Sequence, residues 1–331
     1  MPAMGVENIL VLPRVPEPSG EARGRPVAEV ADSQSLLEGA GFPVRRPFPG
    51  PGLSLRHTDP FLLLDHLGAV EYGPGEAKGA PWHPHRGFET VTYMMDGAMR
   101  HRDSNGGGGL IRDGATQWMT AGSGILHDEM PTDELVRAGG LFHGVQLWVN
   151  LPRSLKLTPP RYQDIGADAL VLLASADGGA LIRLIAGRLA QFEGRGRTWT
   201  PITYAHATIS PGARLRIPWE AAFNAMVYVL SGSGRAGAEG ASIHEGQLAV
   251  YGAGDAIEVT ADRRQSSRSP ALDVLLLGGR PIREPIAHWG PFVMNTHEEI
   301  VQAFEDFQAG RMGLVPATTL TAEAPEAHPA Q

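Results

Sequence analysis

An internal repeat constrains the fold of this chain more than any other feature of its sequence. The segment from Phe88 to Gly97 is similar to the segment from Phe223 to Gly232, 135 residues later. Gly114 to Gly122 is likewise similar to Gly246 to Gly254, at an offset of 132 residues. Repeated segments of this kind indicate two copies of one structural unit. The sequence therefore predicts two similar domains, joined near Pro159-Pro160.

The pattern inside the repeat is typical of β-strands. In the first copy, one face carries Glu89, Val91 and Tyr93 and the other carries Thr90, Thr92 and Met94. The 42 glycines and 27 prolines among 331 residues favour short strands and turns over long helices. Each copy is therefore predicted to be a small antiparallel β-barrel. His66 and His143 lie at strand ends, and we interpret both as structural.

Four potential metal ligands lie in the first copy. His83 and His85 are two residues apart, and so are His127 and Glu129. Side chains two apart on a strand point to the same face. Two such pairs facing each other place three imidazoles and a carboxylate around one point. Such a set suits a divalent transition metal, with bonds of about 2.0–2.2 Å as for zinc. The alternative is that these side chains cap strands and hydrogen-bond to one another.

The second copy does not repeat this ligand set. Through the two offsets, His83, His85, His127 and Glu129 align with Pro218, Glu220, Val259 and Ala261. These four residues together cannot hold a transition metal. The sequence therefore predicts that only the first domain is chemically active.

Composition limits the chemistry and the location. The chain has no cysteine, so disulfides and thiolate ligands are excluded and any metal must bind to nitrogen and oxygen. The net charge of -8 argues against direct binding to nucleic acid. The sequence shows no signal peptide and no run of about 20 apolar residues that could cross a membrane. We therefore expect a cytoplasmic protein without membrane contact.

Four regions follow from these patterns. We predict an N-terminal extension at 1–40 that adds one edge strand, a metal-binding barrel at 41–160, a second barrel with a C-terminal helix at 161–313, and a disordered tail at 314–331.

The C-terminal helix is predicted from its start signal. Thr296 and Glu299 form a capping box. Ile300, Phe304 and Phe307 follow at helical spacing and indicate an amphipathic helix to about residue 310 that docks on a barrel.

The motifs resemble those of the pirin family of cupin proteins. The matching segments are His83 to Tyr93, Gln117 to Pro131, Leu147 to Asn150 and Gly290 to Thr296. The resemblance spans about residues 40 to 313. It implies a bicupin: two cupin-type antiparallel β-barrels.

The resemblance also bears on the carboxylate ligand. Many cupins use a Glu four residues after the second histidine, which here is Glu89, and spacing alone does not choose between Glu89 and Glu129. The resemblance to pirins favours Glu129, and it implies that His83, His85, His127 and Glu129 bind iron as Fe(II). Nickel, copper, manganese, cobalt and zinc also accept three histidines and one carboxylate.

Two functions are implied by the resemblance. One is quercetin 2,3-dioxygenase activity, in which O2 opens the central ring of a flavonol and carbon monoxide is released. Similar cupin dioxygenases then imply that Glu129 also acts as the catalytic base. Phe88, Trp118 and Met119 are candidates for the pocket wall, or else belong to the ordinary core of the barrel. The alternative is a metal-dependent, non-catalytic co-regulator of transcription that binds a protein partner. A structural zinc protein without chemistry is a third interpretation.

Overall fold

Short antiparallel strands form most of the chain, as the sequence predicts. The computed structural model describes residues 8–265 and 269–315. Within them, strands pair into two large and two smaller sheets plus one hairpin. The helices are α1 (Leu55–Thr58), α2 (Asp133–Ala138) and α3 (His297–Gln308), with 3-10 turns at Ile9–Val11, Arg153–Leu155 and Ala167–Ala169. The predicted all-β class with a short C-terminal helix is confirmed.

The first half of the chain supplies twelve strands. They are β1 (Val27–Asp32), β2 (Gln34–Glu38), β3 (Phe42–Phe48), β4 (Phe61–Tyr72), β5 (Ala80–His85), β6 (Phe88–Asp96), β7 (Met99–Asp103), β8 (Gly108–Ile111), β9 (Thr116–Thr120), β10 (Ile125–Pro131), β11 (Gly140–Asn150) and β12 (Arg161–Ile165). The larger sheet of the first domain has the order β12-β9-β6-β11-β4-β3-β2, and the smaller has the order β5-β10-β7-β8. The two sheets form an open sandwich instead of one closed barrel.

The second half repeats this plan. Its strands are β13 (Val171–Ala174), β14 (Ala180–Leu189), β15 (Phe192–Glu193), β16 (Ile202–Ile209), β17 (Arg214–Pro218), β18 (Met226–Ser231), β19 (Ser233–Ala236), β20 (Ala241–His244), β21 (Gln247–Tyr251), β22 (Ala256–Ala261), β23 (Leu272–Gly279), β24 (Ala287–Trp289) and β25 (Phe292–Met294). The larger sheet runs β1-β21-β18-β23-β16-β14-β13, with β15 on β14, and the smaller runs β17-β22-β19-β20. Strands β24 and β25 form the separate hairpin.

The turn glycines support the repeat. Gly97 ends β6 and Gly232 ends β18, and each has φ +93°. A Cβ at Gly97 would lie 2.6 Å from the Leu141 carbonyl oxygen. Because L side chains rarely adopt this backbone conformation, glycine is needed at both turns.

The N-terminal extension contributes to both domains. β1 pairs with β21 at the edge of the second domain's sheet, whereas β2 pairs with β3 in the first domain. Ser33 joins the two strands, and its backbone N–H donates to the Gly246 carbonyl oxygen (3.0 Å). The extension therefore ties the two sheets together. The four predicted domain boundaries remain predictions.

The large sheets of the two domains pack face to face. Val91, Leu147 and Trp118 of the first sheet share a fully buried cluster with Met226 and Leu275 of the second. Burial of this apolar surface is the main term that holds the domains together.

Two hydrogen bonds cross this interface in opposite directions. Tyr93 Oη lies 3.1 Å from His206 Nδ1, and Tyr228 Oη lies 3.0 Å from His66 Nδ1. His66 Nε2 continues to His143 Nε2 (2.9 Å). His66 and His143 lie inside β4 and β11 and not at strand ends as predicted, and their structural role remains a prediction.

Helix α3 docks on the first domain. Thr296 Oγ1 accepts from the Glu299 N–H, and Glu299 Oε2 accepts from the Thr296 N–H, so the predicted capping box is confirmed. Ile300 packs with Leu126 of β10 in one buried cluster, whereas Phe307 is 37% exposed. The predicted tail at 314–331 lies outside the described residues from 316 onward. No helix in the described ranges is long and apolar enough to cross a lipid bilayer.

Candidate metal centre

Three histidines converge at the mouth of the first domain's sandwich. His83 and His85 lie on β5 and His127 lies on β10, and β5 pairs with β10 so that His127 is opposite His83. The ring centroids are 4.3 Å apart for His83 and His127, and 4.9 Å apart for His85 and His127. One nitrogen of each ring lies within 4.8 Å of the other two. The strand period of two and this cross-strand pairing bring the rings together.

Backbone carbonyls select the nitrogens that face the centre. The Pro81 carbonyl oxygen lies 2.7 Å from His83 Nδ1, and the Pro291 carbonyl oxygen lies 3.4 Å from His85 Nδ1. Because a carbonyl can only accept, both Nδ1 atoms carry a proton, and in the neutral ring the lone pair then lies on Nε2. A carbonyl on the other ring nitrogen is a common way to orient a metal-binding histidine.

His127 supplies the test of whether a metal fits. Its side chain is 1% exposed, and Nε2 has no hydrogen-bond partner in the described part of the chain. A buried nitrogen without a partner is costly unless a ligand satisfies it. Burial lowers the pKa of His127, and the neighbouring His83 and His85 lower it further. Burial likewise lowers the pKa of His85. These imidazoles are therefore neutral, the form that binds metal, and the site fits a divalent transition metal.

Glu129 lies beside this group but not within it. Thr92 Oγ1 donates to Glu129 Oε1 (3.1 Å), and Gln146 Nε2 donates to Glu129 Oε2 (2.7 Å). The set of ligand atoms that lie within 4.8 Å of one another contains the three histidines and not Glu129. Relative to β5, the register shifts between His127 and Glu129. The structure therefore places Glu129 next to the three histidines, with both carboxylate oxygens already hydrogen-bonded.

Glu89 lies on the other face of β6. Its Oε1 accepts from Thr120 Oγ1 (2.6 Å), whereas Thr92, the residue that contacts Glu129, points to the opposite side. Burial raises the pKa of Glu89 to about 7. Glu89 is thus separated from the histidines by the sheet itself.

A cavity of about 560 Å³ opens next to the histidines. This volume is within the range of small-molecule sites. Its apolar wall contains Trp82, Phe142 and Trp148, and its polar lining includes Glu129 and Gln146. His288, Gly290 and Pro291 come from the hairpin of β24 and β25 and complete the wall. The C-terminal segment therefore covers the metal site of the first domain.

The predicted wall residues are placed differently. Phe88 lies behind the site, with its ring centroid 5.1 Å from that of His85 and 4.2 Å from that of Trp148. Trp118 belongs to the cluster between the domains, and Met119 packs near Tyr162. None of the three predicted residues lines the described cavity. Of the two interpretations open for these residues, the structure supports core packing, since all three lie in buried clusters.

Sequence reasoning missed three residues of the site. Gln146 and Trp148 face the cavity from β11. The sequence pattern that could have indicated them is their alternation with the buried residues Val145 and Leu147. His101 pairs across strands with Glu129 and is 1% exposed. Burial lowers the pKa of His101, and the Glu129 carboxylate opposes this shift.

The strand register corrects one alignment in the second domain. Val259, which aligns with His127, pairs with Leu215. His127 itself pairs with His83, so His83 corresponds to Leu215 instead of Pro218, and His85 corresponds to Ile217 instead of Glu220. The offset of 135 residues was wrong for this strand because the loops of the two copies differ in length. Leu215, Ile217 and Val259 are all buried and apolar.

Comparison with known protein families identifies two matching profiles. Residues 41–149 match the family described as Pirin, and residues 204–313 match the family described as Pirin C-terminal cupin domain. Together these matches cover more than half of the chain.

Individual relatives span nearly the whole chain. Human Pirin is 38% identical over 290 residues, which is 87% of this chain and 93% of the relative. A Pirin-like protein from Caulobacter vibrioides is 39% identical over 294 residues, which is 87% of this chain and 99% of the relative.

Solved structures show the same architecture. A crystal structure of quercetin 2,3-dioxygenase from Acinetobacter baumannii has a TM-score of 0.82 and 35% identity, and the match covers 89% of this chain and 100% of that one. The bacterial pirin YhhW from Escherichia coli, solved in complex with nickel(II), has a TM-score of 0.56 and 17% identity and covers 76% of this chain and 99% of that one. The predicted two-cupin fold is confirmed.

Proposed function

This chain belongs to the pirin family, and on that premise we propose that it is a metal-dependent dioxygenase that cleaves quercetin or a related flavonol with O2. The observation that carries the proposal is the buried Nε2 of His127, which has no hydrogen-bond partner among the described residues. It lies beside two further imidazoles, His83 and His85, that line an aromatic cavity. Three imidazoles beside a cavity suit an open catalytic site better than a closed structural one.

The proposed ligands are His83, His85, His127 and Glu129, and the proposed metal is Fe(II). When bound, such a metal would lower the pKa of a hydroxyl group of the substrate that coordinates it. The Pro291 carbonyl keeps His85 in the tautomer that this role requires.

Glu129 is the proposed catalytic base. It accepts the proton of the flavonol 3-hydroxyl, for which a carboxylate oxygen must come within about 3 Å of that hydroxyl. Trp148 and Trp82 offer flat apolar surfaces for the aromatic rings of the substrate. The overall reaction consumes one O2 and releases one carbon monoxide as the central ring opens.

The test uses the Fe(II)-loaded full chain and quercetin. We expect the flavonol absorbance to fall while O2 is consumed and carbon monoxide is released in equal amounts. The His83→Ala variant should do none of these. The His57→Ala variant is the matched control, since His57 is an exposed histidine far from the cavity lining, and it should retain activity. Anaerobic mixing should leave the flavonol intact.

A specific outcome would favour the alternative function. If the loaded protein consumes no O2 with any flavonol and instead binds a protein partner only when metal is present, the chain acts as a metal-dependent co-regulator. The net charge of -8 makes a protein partner more suitable than nucleic acid for that role.

A further inference from the structure

We infer that Gln146 is a positioning residue that holds the Glu129 carboxylate away from the three histidine nitrogens and thereby weakens metal binding. This inference rests on the metal site of the proposed function but not on the identity of the substrate. It concerns a contact within the chain itself, between β11 and β10.

Both oxygens of Glu129 are held from the floor of the cavity. Gln146 Nε2 donates to Oε2 at 2.7 Å, and Thr92 Oγ1 donates to Oε1 at 3.1 Å. Gln146 and Thr92 are directly opposite each other on β11 and β6, so a single cross-strand pair donates both hydrogen bonds to Glu129. Hydrogen bonds to a carboxylate are stronger than those between neutral groups.

Trp148 determines which way the Gln146 amide faces. The indole Nε1 of Trp148 donates to Gln146 Oε1 (3.3 Å). The amide oxygen is therefore directed to Trp148 and the amide nitrogen is left for Glu129. Trp148 is fixed in turn by its contact with Phe88, at 4.2 Å between ring centroids. The orientation of the amide is thus determined by the aromatic wall.

The position of Glu129 shows what this contact does. The three histidine nitrogens lie within 4.8 Å of one another, and no oxygen of Glu129 belongs to that set. Ligand atoms bound to one metal at about 2.0–2.2 Å lie within about 4.4 Å of one another, so the carboxylate or the rings must move for Glu129 to join them. Movement of the carboxylate weakens its hydrogen bonds to Gln146 and Thr92. The lost hydrogen bonds then offset part of the free energy gained on binding the metal.

The contact also links the cavity to Glu129. Trp148 and Gln146 both line the cavity, so a ligand that packs on the indole touches the group that orients the amide. A ring that displaces the indole frees the Gln146 amide to rotate and releases Glu129. This couples occupation of the cavity to the position of the carboxylate.

Metal affinity of the full-length protein tests the inference without any flavonol. Co(II) is the probe, with its dissociation constant measured by competition with a chelator and its visible spectrum recorded. The Gln146→Leu variant should bind Co(II) about tenfold more tightly, because the carboxylate gives up fewer hydrogen bonds to reach the metal. Its visible bands should weaken as the coordination number rises. The Trp148→Phe variant, which frees the amide to rotate, should show a smaller shift in the same direction.

Gln117→Leu is the matched control. Gln117 is a buried glutamine on the neighbouring strand β9 that donates to Asp164 (3.1 Å), and its removal should leave the Co(II) affinity unchanged. An unchanged or weaker affinity in Gln146→Leu, with a normal melting temperature, overturns the inference. A weaker affinity would show that Gln146 directs Glu129 onto the metal. If the wild-type chain binds no metal at all, both the proposed function and this inference fail. If it binds metal and only the expected effect of Gln146→Leu is missing, the inference alone fails.

Discussion

At the scale of single residues, two carboxylates near the metal centre differ in what surrounds them. Glu129 lines the cavity beside the histidines, whereas Glu89 lies on the far face of β6 against Thr120. We expect Glu129→Gln to weaken metal binding by one to two orders of magnitude or to abolish activity, since one ligand is neutralised. Glu89→Gln should retain the metal. Elemental analysis of both purified variants checks this, and the reverse result would assign the carboxylate ligand to Glu89.

The raised pKa of Glu89 makes a second prediction at this scale. Burial raises its pKa from 4.5 to about 7, so between these values the folded chain binds more protons at this group than the unfolded chain. This group therefore makes stability fall as pH rises from about 4.5 to 7. Glu89→Gln removes that dependence while an amide oxygen can still accept from Thr120.

Denaturant unfolding at pH 5 and pH 8 measures the effect. The measured quantity is the difference in free energy of unfolding between Glu89→Gln and wild type. This difference should be more favourable to the variant at pH 8 than at pH 5, by on the order of 2 kcal/mol. Parallel pH profiles of the two proteins would show that Glu89 does not titrate with a raised pKa.

At the scale of secondary-structure elements, the C-terminal segment depends on its helix cap. Thr296 and Glu299 satisfy each other's backbone N–H groups at the start of α3. Thr296→Ala should cost about 1 kcal/mol and increase amide hydrogen exchange within α3. Thr296→Ser keeps the hydroxyl and is the control. Equal exchange in both variants would mean that packing of Ile300 alone fixes the helix.

The same segment bears on the metal site. The hairpin of β24 and β25, which precedes α3, supplies the Pro291 carbonyl to His85 and one wall of the cavity. Lys156 anchors this hairpin, because its buried ammonium donates to the carbonyls of Gly87 (2.9 Å) and Val293 (3.0 Å). A single side chain thus joins the start of β6 to β25.

At the scale of the whole molecule, the two copies of the fold have different interiors. In the second domain, Leu215, Ile217 and Val259 occupy the places of the histidines within a continuous apolar core. In the first domain, the equivalent space is a cavity with polar groups at its floor. The second copy gains stability by filling this space, and the first gives up that packing for a binding site.

Metal stoichiometry tests this division. The intact protein should bind one metal ion per chain, and His127→Ala should lose most of it while the melting transition is kept, since the sandwich has its own core. Elemental analysis and calorimetry on the same samples provide both readings. A value near two ions per chain, with the second lost on mutating Glu220 or His244, would contradict a single site.

The sequence alone determined the features that depend on neighbours along the chain. Strand alternation, the glycine turns, the α3 cap and the shared face of His83 and His85 are local, because they follow from two-residue periodicity or from contacts within one helical turn. The repeat then predicted two similar β-domains. The family motifs added the cupin fold.

Only the tertiary structure decided what depends on strand register and on contacts across the fold. It placed β1 on the second domain's sheet, the Pro291 carbonyl against His85, and Gln146 against Glu129. The register of β17 against β22 could not be read from the repeat, because loop lengths between strands are free to vary. A one-residue shift in register changes which side chains face the interior, so such contacts are fixed only when the sheets pack.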